Sequence, residues 1–244
     1  MAILETKNLT KNFDGIRAVD NLSIKIERGK VSGIIGPNGS GKTTLINLLS
    51  GVLQADKGVI VLSDSIKLTK IKPHTIASYG ITRTFQDVRL FNQMTILDNI
   101  LVVLTERNFW SAILEQHKDY HLDQAGDILK QLDLWDKRTE LVVNLSYGQR
   151  KLLEIGRALA MKADIYLLDE PFAGLFPEMR KIVSGIIHKL REENKAIVLI
   201  EHNMDIIREL SDHVIVMDEG KLLAQGKPKE VLDRREVIEA YLGE

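Results

Sequence analysis

Polar and apolar residues alternate at the start of the chain. In "ILETKNL" and "LSIKIE" apolar side chains recur at every second position, the period of a strand with one buried face. "KVSGIIG" loses that alternation and runs apolar into Gly36, and "TTLINLLSG" follows as a helix that Gly51 stops. After "GVIVLS" come turn formers and a short strand, "GITRTF". Residues near 93–162 read mostly as helix, and in "HLDQAGDILKQLDLW" Leu122, Ala125, Leu129 and Leu132 share one face. "ADIYLLDE", "KAIVLIEH" and "HVIVMDEG" then return to short apolar runs separated by helical segments. Strands alternating with helices predict a largely parallel sheet covered on both faces, with the helical middle as an inserted subdomain. No internal repeat and no low-complexity linker breaks this order.

Composition narrows the picture only slightly. The 244 residues suit one large domain, or one domain with a small subdomain. Lys plus Arg is 33 and Asp plus Glu is 34, so charge gives no reason to expect a nucleic-acid partner. The absence of cysteine removes disulfides and thiolate metal sites, and is compatible with a cytosolic protein. Glu5 and the lack of a long apolar core near the start predict no signal peptide. No apolar run approaches the roughly 20 residues of a membrane-spanning helix, so a membrane role is expected only through partner chains.

The chemistry begins with "GPNGSGKT", Gly36 to Thr43, a P-loop pattern set between a predicted strand and a predicted helix. Its glycines let backbone N–H groups turn toward a phosphate, and the helix N-terminus adds the positive end of its dipole. Lys42 would reach the β- and γ-phosphates, and Thr43 would give its hydroxyl to Mg²⁺. "IYLLDEP" closes an apolar strand with two acids that, pointing alternately, would serve different sides of a site. Asp169 suits a Mg²⁺ shell and Glu170 the orientation or deprotonation of a water. Acids also close strands at ordinary turns; the P-loop favours the catalytic reading. His202 ends "AIVLIEH", where an imidazole could sense a γ-phosphate or simply sit at the surface. Gln86 ends "RTFQ", as a metal- and water-bridging amide or as a polar loop residue. Phe13 is a base-stacking aromatic or a core residue. "LSYGQ" opens another amphipathic helix and is a second natural anion cradle.

The order of P-loop, Gln86, "LSYGQ", "LLDEP" and His202 resembles the nucleotide-binding subunit of an ATP-binding cassette (ABC) transporter, over essentially the whole chain. The resemblance implies an α/β P-loop NTPase fold: a RecA-like core, an antiparallel β-subdomain and a helical subdomain. Residues 1–244 would form one ABC ATPase domain, with approximately 88–162 as the helical insert. It implies ATP and Mg²⁺ as cofactors. Asn38, Gly39, Ser40, Gly41, Lys42, Thr43 and Thr44 would hold phosphate, Phe13 would face adenine, and Val19 would lie near the ribose. Thr43, Gln86 and Asp169 would serve the metal, and Lys42, Gln86, Glu170 and His202 the catalysis. Ser146, Gly148 and Gln149 would close a partner's site, since the resemblance implies a second ABC ATPase subunit in a homo- or heterodimer.

Finer matches point to one branch. "RTFQDVRLFNQMTILDNI", "LSYGQRKLLEIGRAL", "EPFAGLFPE", "LIEHNM" and the terminal "EAYLGE" resemble the ATP-binding subunit of branched-chain amino acid importers, with urea and amide importers as near relatives. That branch implies integral membrane permease subunits, an external solute-binding protein acting indirectly, and a peripheral place on the cytoplasmic face of the membrane. A lipopolysaccharide-export ATPase and a soluble ABC ATPase are the alternatives. Two positions depart from the commoner pattern: Tyr147 replaces a signature glycine, and Phe176 stands where the D-loop usually has Asp or Asn. The second departure implies weakened coupling between the two ATP sites, or compensation by a partner.

Overall fold

The computed structural model describes residues 1–63, 66–105 and 118–242. The helical reading of 106–117 and the last two residues of "EAYLGE" lie outside them. The chain divides into two compact units: Met1–Arg83 with Asp164–Glu170 and Ile187–Glu244, and Thr84–Ala163 with Pro171–Ile186.

The first unit holds two sheets. Strands β1 (Ala2–Phe13), β2 (Ile16–Leu22), β3 (Lys25–Glu27), β5 (Lys57–Leu62) and β6 (Ile66–Leu68) form an antiparallel sheet in the order β2-β1-β5-β6, with β3 also on β1. Strands β4 (Val31–Ile35), β7 (Ile81–Arg83), β8 (Ile165–Asp169), β9 (Ala196–Ile200), β10 (His213–Asp218) and β11 (Lys221–Gly226) form the other sheet, in the order β11-β10-β4-β9-β8-β7. All of its neighbours run parallel except β10 and β11. Every residue of β4, β8 and β9 is buried, which is why these strands read as continuous apolar runs.

The antiparallel sheet departs from the expected alternation. Leu4 and Thr6 of β1 face inward, but Asn8 takes a positive φ of 51° and the register slips, so the adjacent pair Leu9 and Thr10 is buried. Gly58 on β5 accommodates this bulge, because a Cβ there would overlap the carbonyl oxygens of Lys7 and Asn8. Strand β2 was not expected: only Val19 and Leu22 of "IRAVDNL" are buried, too few to show a period. Helix α1 (Lys42–Leu49) buries Leu45, Ile46, Leu48 and Leu49 in one cluster with Leu4 and Ile60 of the first sheet and Ile34 and Val198 of the second. It ends where expected, with Gly51 left-handed at φ 72°.

The second unit is built on helices α2 (Ile96–Leu104), α3 (Lys118–Gln131) and α4 (Tyr147–Ala160), and takes in the first part of α5 (Pro177–Glu192). Thr95 caps α2 by accepting the Asp98 N–H at 3.1 Å. Gly156 brings α4 close to its neighbours: a Cβ there would overlap Leu132 and crowd Ile100 and Ile128. Ala125, Leu129 and Leu132 are fully buried in this packing, whereas Leu122, expected on the same face, is 43% exposed. The buried stripe begins one turn later than the sequence suggested.

Candidate functional site: a nucleotide cradle

Strands β4, β8 and β9 run parallel, so their carboxyl ends lie along one edge of the sheet, where α/β proteins bind ligands. The 36–41 loop after β4 is confined closely. A Cβ at Gly36 would overlap the Met217 carbonyl oxygen, and one at Gly41, where φ is 98°, would overlap that of Ala18 on β2. The Gly220 N–H donates to the Ser40 carbonyl at 3.1 Å, and the Asp20 N–H donates to the Gly220 carbonyl at 2.8 Å. Strand β2 and the 219–220 turn thus wall the loop, a role that "DEGK" did not signal. Lys42 is buried with its ammonium at the loop's centre, donating to the carbonyls of Gly36 (2.7 Å) and Pro37 (2.8 Å). Asn38, Gly39 and Thr43 are exposed, Thr44 is half-buried, and Ser40 is buried.

Two flanking expectations part company here. Phe13 closes the β1–β2 hairpin and is 41% exposed, with Lys11 Nζ 5.4 Å from its ring centroid, so it belongs to the surface rather than the core. Val19 is 0% exposed and packs in the hydrophobic cluster. Its side chain is turned into the core, and the residues of β2 that border the loop do so through backbone.

The two acids diverge as anticipated, but for a different reason. Asp169, the last residue of β8, is buried, and its Oδ2 accepts from Arg83 Nη2 at 3.0 Å. The other terminal nitrogen of Arg83, Nη1, donates to Asn47 Oδ1 (2.6 Å) and Ser50 Oγ (2.9 Å) on and just after α1. Arg83 therefore ties the acid at the end of β8 to the helix that follows the phosphate loop. Glu170 turns away because its backbone is left-handed, φ 47°, held by its N–H to the Ile200 carbonyl at 3.0 Å. Its Oε1 lies 3.1 Å from His202 Nε2. A carboxylate and an imidazole in contact can orient a water and accept its proton.

Among the described residues no three His, Cys, Asp or Glu side chains gather as a metal cage. A nucleotide-bound Mg²⁺ does not require one, since phosphates and waters supply most of its oxygens. The Thr43 hydroxyl and the Asp169 carboxylate are hard oxygen donors of the right kind.

The second unit carries the other candidates. Ser146 is the N-cap of α4: its Oγ accepts the Gln149 N–H (3.3 Å), while Gln149 Oε1 accepts the Ser146 N–H (3.1 Å), a complete capping box. Gly148 is buried, and a Cβ there would stand 2.5 Å from Met179 Sδ. Tyr147 is 52% exposed, with its ring over Gly174: a Cβ on that glycine would be 2.9 Å from the ring. Phe176 is 71% exposed at the entry to α5. Gln86 is exposed, and its carbonyl accepts from Lys151 Nζ at 3.5 Å. The structure thus groups the P-loop, Phe13, Asp169, Glu170 and His202 in one unit, and Gln86, Ser146, Gly148 and Gln149 in the other.

A P-loop at the edge of a parallel sheet, an acid pair closing the strand two places away and a histidine just past the end of the strand between them define a nucleotide-hydrolysing P-loop protein. The family model described as ABC transporter matches residues 19–173, and one described as branched-chain amino acid ATP-binding cassette transporter matches residues 221–244. The chain belongs to the ABC transporter family as an ATP-binding, ATP-hydrolysing cassette. It is 38% identical to the high-affinity branched-chain amino acid transport ATP-binding protein BraF of Pseudomonas aeruginosa, covering 99% of this chain and 98% of that one. It is 36% identical to LivG of Escherichia coli, a protein described in the same words, with the same coverage. Among solved structures, a nucleotide-free ATP-binding cassette from an ABC transporter superposes with a TM-score of 0.87 at 35% identity, and the ADP conformation of the cassette MJ1267 with 0.86 at 36%. Each covers 100% of both chains.

Proposed function

We propose that this cassette powers import of branched-chain amino acids or closely related small solutes such as urea and amides. Its identity of 36–38% to BraF and LivG along nearly the whole chain supports that branch. Two subunits would meet head to tail, with each ATP between one chain's P-loop and the other chain's Ser146 cradle. The observation that carries this reading is the contact between Glu170 and His202 at the edge that holds Lys42, paired with an exposed capped helix start at Ser146 in the other unit.

In this reading Lys42 leaves the carbonyls of Gly36 and Pro37 to neutralise phosphate. Glu170 orients the attacking water and takes its proton, and His202 holds that carboxylate and senses the γ-phosphate. Bound Mg²⁺ would spread charge over the phosphate oxygens, with Thr43 and Asp169 as its protein contacts and Gln86 bridging to it. Asn38, Gly39, Ser40, Gly41 and Thr44 complete the phosphate shell, and Phe13 gives adenine an apolar surface.

No helix among the described residues is long and apolar enough to cross a membrane. Permease subunits would supply the spans and take solute from an external binding protein, and this chain would sit on their cytoplasmic face, linked to that binding protein only indirectly. The test is co-purification from membranes followed by reconstitution. Branched-chain amino acid uptake that stops with Glu170→Gln is expected. Attachment to an exporter, or to no membrane subunit, would overturn the importer reading.

A further inference from the structure

Helix α4 carries a charged stripe that an amphipathic pattern would assign to solvent. Lys151, Glu154 and Arg157 follow one another at three-residue spacing and so lie along one face. Yet Lys151 and Glu154 are buried and Arg157 is half-buried.

All three address the backbone of one segment, residues 85–91. The Phe85 N–H donates to Glu154 Oε1 at 3.2 Å, and the Arg89 N–H also favours the charged carboxylate. Lys151 Nζ donates to the Gln86 carbonyl at 3.5 Å, and Arg157 Nη1 donates to the Arg89 carbonyl at 2.6 Å. Cations over rings reinforce the seat: the Arg89 guanidinium lies 3.9 Å from the Phe85 ring centroid, and that of Arg157 lies 5.0 Å from Phe91. At the far end Asn99 accepts the Phe91 N–H (3.0 Å) and donates to its carbonyl (3.1 Å). These bonds hold the path of the chain and leave the Gln86 and Asp87 side chains at the surface.

Such an arrangement is costly in itself. Burial pushes the Glu154 carboxyl above its ordinary range, against the pull of two amides, Lys151 and Arg157. An apolar residue would fill the same space with less desolvation. What the charges add is a set of directional bonds to a segment with no regular structure.

We propose that Lys151, Glu154 and Arg157 are positioning residues that hold residues 85–91 on α4, so that Gln86 and the Ser146 cradle are carried by one rigid element. This rests on the ATPase reading only for its kinetic consequence. Any displacement of Ser146 along α4 then reaches Gln86 without a flexible joint.

Glu154→Gln tests it in the full chain. Glutamine keeps the shape and an acceptor for Phe85, but it removes the charge between Lys151 and Arg157. Amide exchange within 85–91 should quicken about tenfold, as expected for a lost charge-assisted hydrogen bond, while amides of 147–160 keep their protection. The kcat for ATP should fall about tenfold with KM nearly unchanged, the mark of a displaced site residue rather than a damaged P-loop. Glu154→Asp, which keeps the charge, should recover part of both. Unaltered exchange at 85–91 overturns the proposal, and so does faster exchange with wild-type kcat. Should Glu154→Gln fail to fold, Lys151→Met is read by the same two measurements. A wild-type chain that releases no phosphate would count against the ATPase reading alone, because the exchange arm does not depend on turnover.

Discussion

The two anion cradles of this molecule are built in opposite ways. The one after β4 is made of backbone pressed against backbone, with Gly36 and Gly41 admitting no side chain and Lys42 buried at its centre. Asp169, Arg83, Glu170 and His202 stand at the ends of neighbouring strands of the same unit. The cradle at Ser146 is made of side chains: a serine and a glutamine cap each other at an exposed helix start, on a glycine packed under Met179. In the proposed reading the first would assemble the reacting groups and the second would present a surface to a partner chain, so hydrolytic chemistry would belong to one unit and its completion to the other.

The largest expected effect tests that division at its acid. Glu170→Gln should reduce turnover by roughly 10²–10⁴-fold, the usual worth of a general base, while ATP still binds. Undiminished phosphate release would remove Glu170 from the chemistry. A matched pair of glycine substitutions comes next. Gly41→Ala should abolish ATP binding, because its Cβ would overlap the Ala18 carbonyl and its φ of 98° suits glycine alone. Gly148→Ala should leave binding by the isolated chain intact and lower turnover, through its 2.5 Å approach to Met179. If the two variants behave alike in an ATP-binding titration, the contrast between the cradles is wrong.

Much of this contrast was legible in the chain. Strands β4, β8 and β9 announced themselves because both of their faces are buried. Motif order singled out Lys42, Asp169, Glu170, Ser146 and His202 as candidates, since phosphate chemistry demands particular residue types beside particular elements. Arg83 was not legible: an arginine in "GITRTF" acquires meaning only when β7 pairs with β8 and sets it opposite Leu167, two residues from Asp169. Lys151, Glu154 and Arg157 were hidden for a related reason. Charged positions on a helix read as solvent-facing until an irregular segment is laid over them.

Smaller effects refine the account. Ser146→Ala should cost about 1 kcal/mol of stability through the lost cap, measurable by chemical denaturation, and more in turnover than in stability. Phe176→Asn should strengthen cooperativity between ATP sites, visible in the Hill coefficient; an unchanged coefficient would make that side chain irrelevant. The smallest effect is electrostatic. Lys195, and then Arg28, hold the Asp164 carboxyl below its ordinary value of 3.8. The stability this contributes is present above pH 3.8 and is lost as pH falls through the lower folded value. Because Asp164 is about half exposed, with 47% of its side chain accessible, Asp164→Asn should cost well under about 1 kcal/mol at neutral pH.

The central claim is that each catalytic site joins the P-loop of one chain to the Ser146 cradle of another. Mixing two inactive variants tests it most directly: Lys42→Met, which spoils only the first cradle, and Ser146→Arg, which spoils only the second. A mixed dimer would contain one site with both halves intact, so ATP turnover absent from either variant alone should return on mixing. If the mixture stays as inactive as its components, while wild-type turnover rises in simple proportion to protein concentration, each chain completes its own site and the claim is contradicted.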